Sequence, residues 1–120
     1  MITFNIPGKP QAKQRPRHGN GFTYTPKETV AYENWVRLCY GNRPKLTGEI
    51  VADITFVFIK PKTSKYNYPT RLDLDNCIKS VLDGLQKYAY ENDSQVTELH
   101  CRKIYGSENN TEVKLSERRG

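Results

Sequence analysis

Residues 49–60, EIVADITFVFIK, are apolar on both faces of one extended run. Ile50, Ala52, Ile54, Phe56 and Phe58 alternate onto one face, while Val51, Val57 and Ile59 line the other around Asp53 and Thr55. A half-solvated strand keeps one face polar, so this pattern asks for a central strand covered on both sides. The chain must then supply neighbouring strands and a helical layer. A length of 120 residues allows one domain, residues 1–120, to do this around a modest core.

The other segments meet that demand. ITFNI alternates Ile2, Phe4 and Ile6 inward, a short strand ended by Pro7-Gly8. Residues 8–22, GKPQAKQRPRHGNGF, show no period among their prolines and glycines and read as an exposed basic loop. Phe22 and Tyr24 follow in a short strand. TPKE, Thr25 to Glu28, has the form of a capping box with proline at the first helical position. Val30, Ala31, Trp35, Leu38 and Cys39 then recur at helical spacing up to Gly41, which places Trp35 in the core. KPKTSKYNYPTR, residues 60–71, is a basic, tyrosine-bearing loop. From Asp73 to about Ala89, Leu74, Cys77, Ile78, Val81, Leu82, Leu85 and Tyr88 trace one apolar stripe, with Asp75, Asn76, Lys79, Asp83 and Gln86 opposite. SQVTELHCRKIY and TEVKL read as strands joined in a hairpin by GSENN. The expected fold is α+β, a two-layer sandwich with two main helices on one face of a mixed β-sheet.

A hydrophobic fraction of 36% leaves that core thin, and a homodimer interface would add burial. No stretch has the length of a membrane span, and MITFNIPGKP lacks the charged start and apolar run of a signal peptide, so a cytoplasmic location is expected. Cys39, Cys77 and Cys101 form no CxxC, and His18 and His100 fall outside zinc-finger spacing; reduced, packed thiols are expected. There is no P-loop, no G-x-S-x-G and no cysteine–histidine pair at suggestive spacing. The formal net charge of +6, with a pI of about 9.3, points to a polyanionic partner.

Against that charge, RLDLDNCIK sets Asp73 and Asp75 two residues apart at a helix start, followed by Asn76 and Lys79. One aspartate there is explained by capping and by the helix dipole. Two, with an asparagine and a lysine behind them, exceed what capping requires. Lys79 lies one turn beyond Asp75 on the same polar face and would balance the carboxylates in part, or contact a phosphate. ENDSQV adds Glu91 and Asp93 in the turn after the helix. A helix of that span is about 25 Å long, so spacing alone does not bring Asp93 to Asp73 and Asp75. Hard oxygen ligands suit Mg²⁺, with Mn²⁺ as a substitute, and basic loops around them suit a nuclease whose cations hold the DNA backbone.

The stretch DLDNCIKSVLDGLQKYAYENDSQV, Asp73 to Val96, resembles the RusA family of Holliday-junction resolvases (crossover-junction endodeoxyribonucleases), whose pattern is D-L-D-N-x-x-K followed by a helix and D-x-Q-V. IPGKPQAKQRPR and the β-rich end are similar in style, so the likeness spans nearly the whole chain. It implies a RusA-like fold, with metal-binding acids at Asp73, Asp75 and Asp93 and an active-site lysine at Lys79. It also implies a magnesium-dependent homodimer that nicks opposing strands of four-way junctions in recombination and repair, without a small-molecule cofactor. Two departures stand out: Glu91-Asn92-Asp93 replaces two adjacent acids, and Leu72 stands where a basic residue or proline is frequent. Asn76 is a candidate donor to the aspartates, and Lys9, Lys13, Arg15, Arg17, Lys65 and Arg71, with Lys60 and Lys62, are candidate phosphate contacts. Tyr66 and Tyr68 are candidates for stacking on exposed bases. Two rival readings remain at this level: a metal-dependent nuclease of other branched or single-stranded substrates, and a non-catalytic DNA-binding protein whose acids are caps and surface charges.

Overall fold

The structure, a computed structural model, describes residues 1–19 and 21–118. The elements run β1 (Ile2–Pro7), β2 (Arg17–His18), β3 (Thr23–Tyr24), α1 (Lys27–Tyr40), β4 (Glu49–Ile59), α2 (Leu74–Leu85), β5 (Val96–Gly106) and β6 (Asn110–Arg118). A single 3-10 turn, Asp93–Gln95, leads into β5. The main sheet has the order β1-β6-β4-β5; β4 and β5 are parallel and the other pairs antiparallel. The fold is thus α+β with a mixed four-stranded sheet and two helices, as expected. No helix among the described residues is long and apolar enough to cross a membrane.

β4 is interior, as its apolar run demands, but only one of its faces meets the core. Ile50, Ala52, Ile54, Phe56 and Phe58 join the buried cluster with Phe4, Ile6, Val113 and Leu115. On the other face Thr55 and Val57 are buried and Val51 and Asp53 half-buried, and Arg102 reaches across from β5 to Asp53 Oδ1 (2.9 Å) and Thr55 Oγ1. That face is covered by side chains of neighbouring strands rather than by a second layer, which corrects the expectation of cover on both sides. The hairpin expectation also changes. β5 and β6 do not pair with each other; they flank β4 on opposite sides. A parallel neighbour needs a crossover, which α2 provides. The segment after β5 then passes the end of β4, where the Ile59 N–H donates to Asn109 Oδ1 at 3.0 Å.

Both helices differ from their expected faces for local reasons. In α1 the N-cap is Pro26, so Thr25 lies one residue too early and no side-chain cap forms. The buried face is Thr29, Tyr32, Val36 and Tyr40, one position off the expected stripe, leaving Val30, Trp35 and Leu38 exposed. Trp35 is not core: its indole N–H donates to the Pro7 carbonyl at 2.8 Å. Tyr40 and Tyr90 are fully buried instead, and their hydroxyls donate to the Pro44 and Leu82 carbonyls. α2 buries Cys77, Ser80, Val81, Gly84 and Leu85 and stops at Leu85, four residues before the expected end. Lys87 adopts the left-handed conformation (φ 74°) and its N–H bonds back to the Tyr90 carbonyl at 2.6 Å, turning the chain and leaving Tyr88 outside. Gly84 lets the helices approach closely, since a Cβ there would sit 2.9 Å from Val36 Cβ.

Candidate functional site

The N-terminal basic segment is not a free loop. Pro10 is buried, the Lys13 N–H donates to the Asn76 carbonyl (2.9 Å), and Ser80 Oγ donates to the Gln11 carbonyl (2.7 Å). It is strapped across α2 and cannot reorganise without breaking those bonds. Lys13 is used inside the fold. Its ammonium lies 2.6 Å from Glu33 Oε2 and 2.9 Å from Asp83 Oδ2, joining the strap to both helices. Burial alone would lower its pKa, but the Glu33 and Asp83 carboxylates reverse this and hold it above the ordinary value.

Asp73 occupies the N-cap of α2 in an extended conformation, and its carbonyl accepts the Cys77 N–H at 3.0 Å. Its carboxylate makes no capping hydrogen bond. The side-chain contact is Asn76 Nδ2 to Oδ2 at 3.5 Å, a long bond from the asparagine expected to serve it. Asp75, exposed in the first turn, has no hydrogen-bond or ion-pair partner among the described residues. Just before them, Leu72 takes φ 66°, a strained value for a non-glycine residue, and its carbonyl accepts from Lys103 Nζ at 2.7 Å. Lys103, on β5, thus holds the turn that aims the two aspartates. Nothing in the sequence spacing pointed to it, because a strand residue thirty positions away is joined to the motif only by the fold.

Lys79 is exposed and pairs with Asp83 at 3.6 Å rather than with Asp75. Asp93 begins the 3-10 turn at the opposite end of α2 from Asp73, about 18 Å by the helix rise. Its N–H donates to Gln86 Oε1 at 3.4 Å, and its carboxylate has no partner among the described residues. Gln95 fixes this turn. Its Oε1 accepts the Glu91 and Asn92 N–H groups at 2.9 and 3.1 Å, and its Nε2 donates to the Leu46 and Gly48 carbonyls at 3.2 and 3.0 Å. Glu91 is occupied by surface pairs with Lys45 and Lys87, which hold its carboxyl below the usual range. No group of three His, Cys, Asp or Glu side chains comes together among the described residues, so a single chain does not assemble Asp73, Asp75 and Asp93.

A groove of about 530 Å³ opens beside Asp73, between the 61–72 loop and the ends of β4 and β5. It collects Lys9, Lys65 and Arg71, three of the cations expected to meet phosphate. Arg15 is exposed on the strap, as are Lys60 and Lys62 beyond β4; the Arg17 backbone lies in β2, and its side chain lies outside the description. Among the described residues the Lys9, Lys65 and Arg71 side chains make no ion pair, and no acid lines the groove.

The five aspartates of the chain divide cleanly. Asp53 and Asp83 are neutralised by Arg102 and by Lys13 with Lys79, whereas Asp73, Asp75 and Asp93 have no cation within the described molecule. Carboxylates left uncompensated beside uncompensated lysines and arginines suit a protein that handles nucleic-acid phosphates, acids for a metal and bases for the backbone. The class narrows on comparison with known proteins. The model of the family described as "Endodeoxyribonuclease RusA" matches residues 7–116. The chain belongs to this family and is an endodeoxyribonuclease, a hydrolase of DNA phosphodiester bonds. It is also 29% identical, over an alignment of 136 positions covering 97% of this chain and 96% of the other, to the uncharacterized protein YqaN of Bacillus subtilis (strain 168). Nucleases of the family depend on a divalent metal. The donor set fits that requirement in part: two carboxylates from one helix start, with no competing cation among the described residues, can hold a hard ion whose other positions go to water and phosphate.

Proposed function

We propose that the protein resolves branched DNA, four-way junctions foremost, by paired nicking as a Mg²⁺-dependent homodimer acting in recombination and repair. The observation that carries this reading is the contrast among the aspartates: the three that fall in the D-L-D-N-x-x-K and D-x-Q-V motifs make no ion pair among the described residues, and the two outside are ion-paired. Asp73 and Asp75 would hold the metal, with Asn76 steadying Asp73. The bound ion supplies Lewis acidity toward the scissile phosphate and its leaving oxygen. Lys79, only loosely paired with Asp83, is free to turn toward charge developing on that phosphate. Lys9, Arg15, Lys65 and Arg71 hold the flanking backbone.

A symmetric dimer fits this reading twice over. Two equivalent sites match a near-symmetric junction. A second copy whose α2 runs opposite to the first would also bring its Asp93 toward the Asp73–Asp75 pair, which the length of α2 prevents within one chain.

The test is cleavage of a synthetic four-way junction by purified protein with and without Mg²⁺, beside Asp75→Asn and a linear duplex. Paired symmetric nicks that vanish without metal or with the substitution are expected. Efficient cutting of the linear duplex would remove junction selectivity, preferred cutting of flaps or single strands would reassign the substrate, and tight junction binding without cutting would refute the mechanism.

A further inference from the structure

We propose that the groove beside Asp73 is a binding site for one unpaired nucleotide of the substrate DNA. The proposal rests on the nuclease reading of Asp73 and Asp75 and extends it to what the enzyme recognises at a branch.

Three features of the groove narrow its occupant. Its rim carries Lys9, Lys65 and Arg71, all exposed and without ion-pair partners among the described residues, and it has no lining carboxylate. An anion is therefore favoured. Its floor is apolar: Phe58 and Pro69 are buried, and Leu72 and Tyr105 are half-buried. An inorganic anion would leave that floor in contact with water. Tyr66, at the groove wall, is half-exposed, buttressed by the Tyr68 ring at 5.6 Å and tied by its N–H to Ser64 Oγ at 3.3 Å. Ser64 Oγ in turn meets the Tyr105 hydroxyl at 3.1 Å, so loop and strand hold the aromatic walls in fixed relation.

A flat aromatic face, an anionic group and polar edges together describe a nucleotide, whose base stacks while its phosphates meet the rim. The volume of about 530 Å³ lies within the range of sites that enclose small ligands. A base paired and stacked in uniform duplex is unavailable to such a groove, whereas a branch point offers bases already unstacked at low cost. Arg71 and Leu72 line the groove and lead directly into Asp73, so the groove and the carboxylate pair share one turn of the chain. The groove thereby supplies a physical basis for preferring branched over uniform DNA.

The probe is a duplex carrying a one-nucleotide bulge, with either thymine or an abasic residue at the bulge, bound by the full chain without divalent metal and followed by fluorescence anisotropy at fixed salt. The wild type is expected to bind the thymine bulge about 5- to 100-fold more tightly than the abasic one, the span of base stacking on an aromatic side chain. Tyr66→Ala should bind both DNAs alike, at the abasic level, and Tyr66→Phe should restore the preference. Equal wild-type affinity for the two DNAs, or a Tyr66→Ala effect of the same size on both, would overturn the proposal. Nicking of a four-way junction with Mg²⁺, measured on the same preparations, separates the two readings. A wild type that nicks but does not distinguish the bulges refutes the nucleotide site alone, and one that distinguishes them without nicking refutes the cleavage mechanism alone.

Discussion

Lys13 offers a direct measurement of whether a basic residue in a DNA-binding segment serves the fold or the substrate. Lys13→Met keeps most of the stem while leaving Glu33 and Asp83 facing each other without the ammonium that lies 2.6 and 2.9 Å from them. Removing one partner of a fully buried pair costs about 3–5 kcal/mol, and exposed pairs are worth about 0–1 kcal/mol. Side-chain exposures of 21%, 13% and 20% place this cluster between those limits, nearer the buried one, and screening brings the expectation to about 2 kcal/mol. For a domain of 120 residues, an unfolding entropy of about 2.1 cal/mol/K per residue converts this to a Tm lower by roughly 8 °C. Calorimetry at pH 7 reads the shift, and the salt dependence of DNA binding reads the alternative. A lost phosphate contact would reduce the slope of log K against log salt by about 0.9. Lys9→Met, exposed and unpaired, should show the reverse: an almost unchanged Tm and a shallower slope. The pKa of Lys13 is raised above 10.5, so its stabilisation is fully present below that pH and is lost as pH rises through the higher folded value. The melting difference between wild type and variant should therefore narrow in strongly alkaline buffer. A Lys13→Met protein with wild-type Tm and a shallower salt slope would refute the assignment.

Lys103→Met should release the Leu72 turn and slow nicking roughly tenfold or more, from the ~1.5–3 kcal/mol of a hydrogen bond made by a charged group. It should also raise the Mg²⁺ concentration needed while DNA affinity stays within about threefold, whereas equal losses in binding and nicking would point to DNA contact instead. Gly84→Ala places a Cβ 2.9 Å from Val36 Cβ; overpacking of ~1–3 kcal/mol exceeds the helix-propensity gain of at most ~1 kcal/mol, so Tm should fall by several degrees and recover in part with Val36→Ala. Burial pushes the Cys77 and Cys101 thiols up to about 11 and raises Cys39, so Ellman's reagent at pH 8 should label the folded protein slowly and the unfolded protein at once. A thiol labelled in the mixing time under native conditions would contradict that packing.

The fold class was legible because β4 could be nothing but interior and α2 carried one clean apolar stripe. What escaped was set by partners rather than by period. The face of α1 is rotated by one residue, burying Tyr32 and Tyr40 where Val30 and Leu38 were expected. The Tyr40 hydroxyl is satisfied in the core by the Pro44 carbonyl, a contact that no helical pattern encodes. The parallel pairing of β4 and β5 was equally hidden, since GSENN has hairpin composition whether the strands it joins pair with each other or with a third strand lying between them.

At the candidate site the motif residues stand out in the sequence and the residues that support them do not, and the difference follows from their chemistry. Asp73, Asp75 and Asp93 announce themselves because acids in a basic chain need a reason. Gln95 and Lys103 do not, since a glutamine or a lysine near a strand needs none. Yet Gln95 ties four backbone groups around the turn that presents Asp93, and Lys103 caps the strained Leu72 carbonyl that precedes Asp73. In the D-x-Q-V segment the glutamine does the structural work of the turn, while the Asp93 carboxylate has no partner among the described residues. The same division holds at the other end of α2, where the Asp73 backbone caps the helix and leaves the carboxylate unspent. A sequence reading that assigns each residue one role misses this, because the backbone of a single aspartate serves the fold while its carboxylate is left without an ion-pair partner among the described residues.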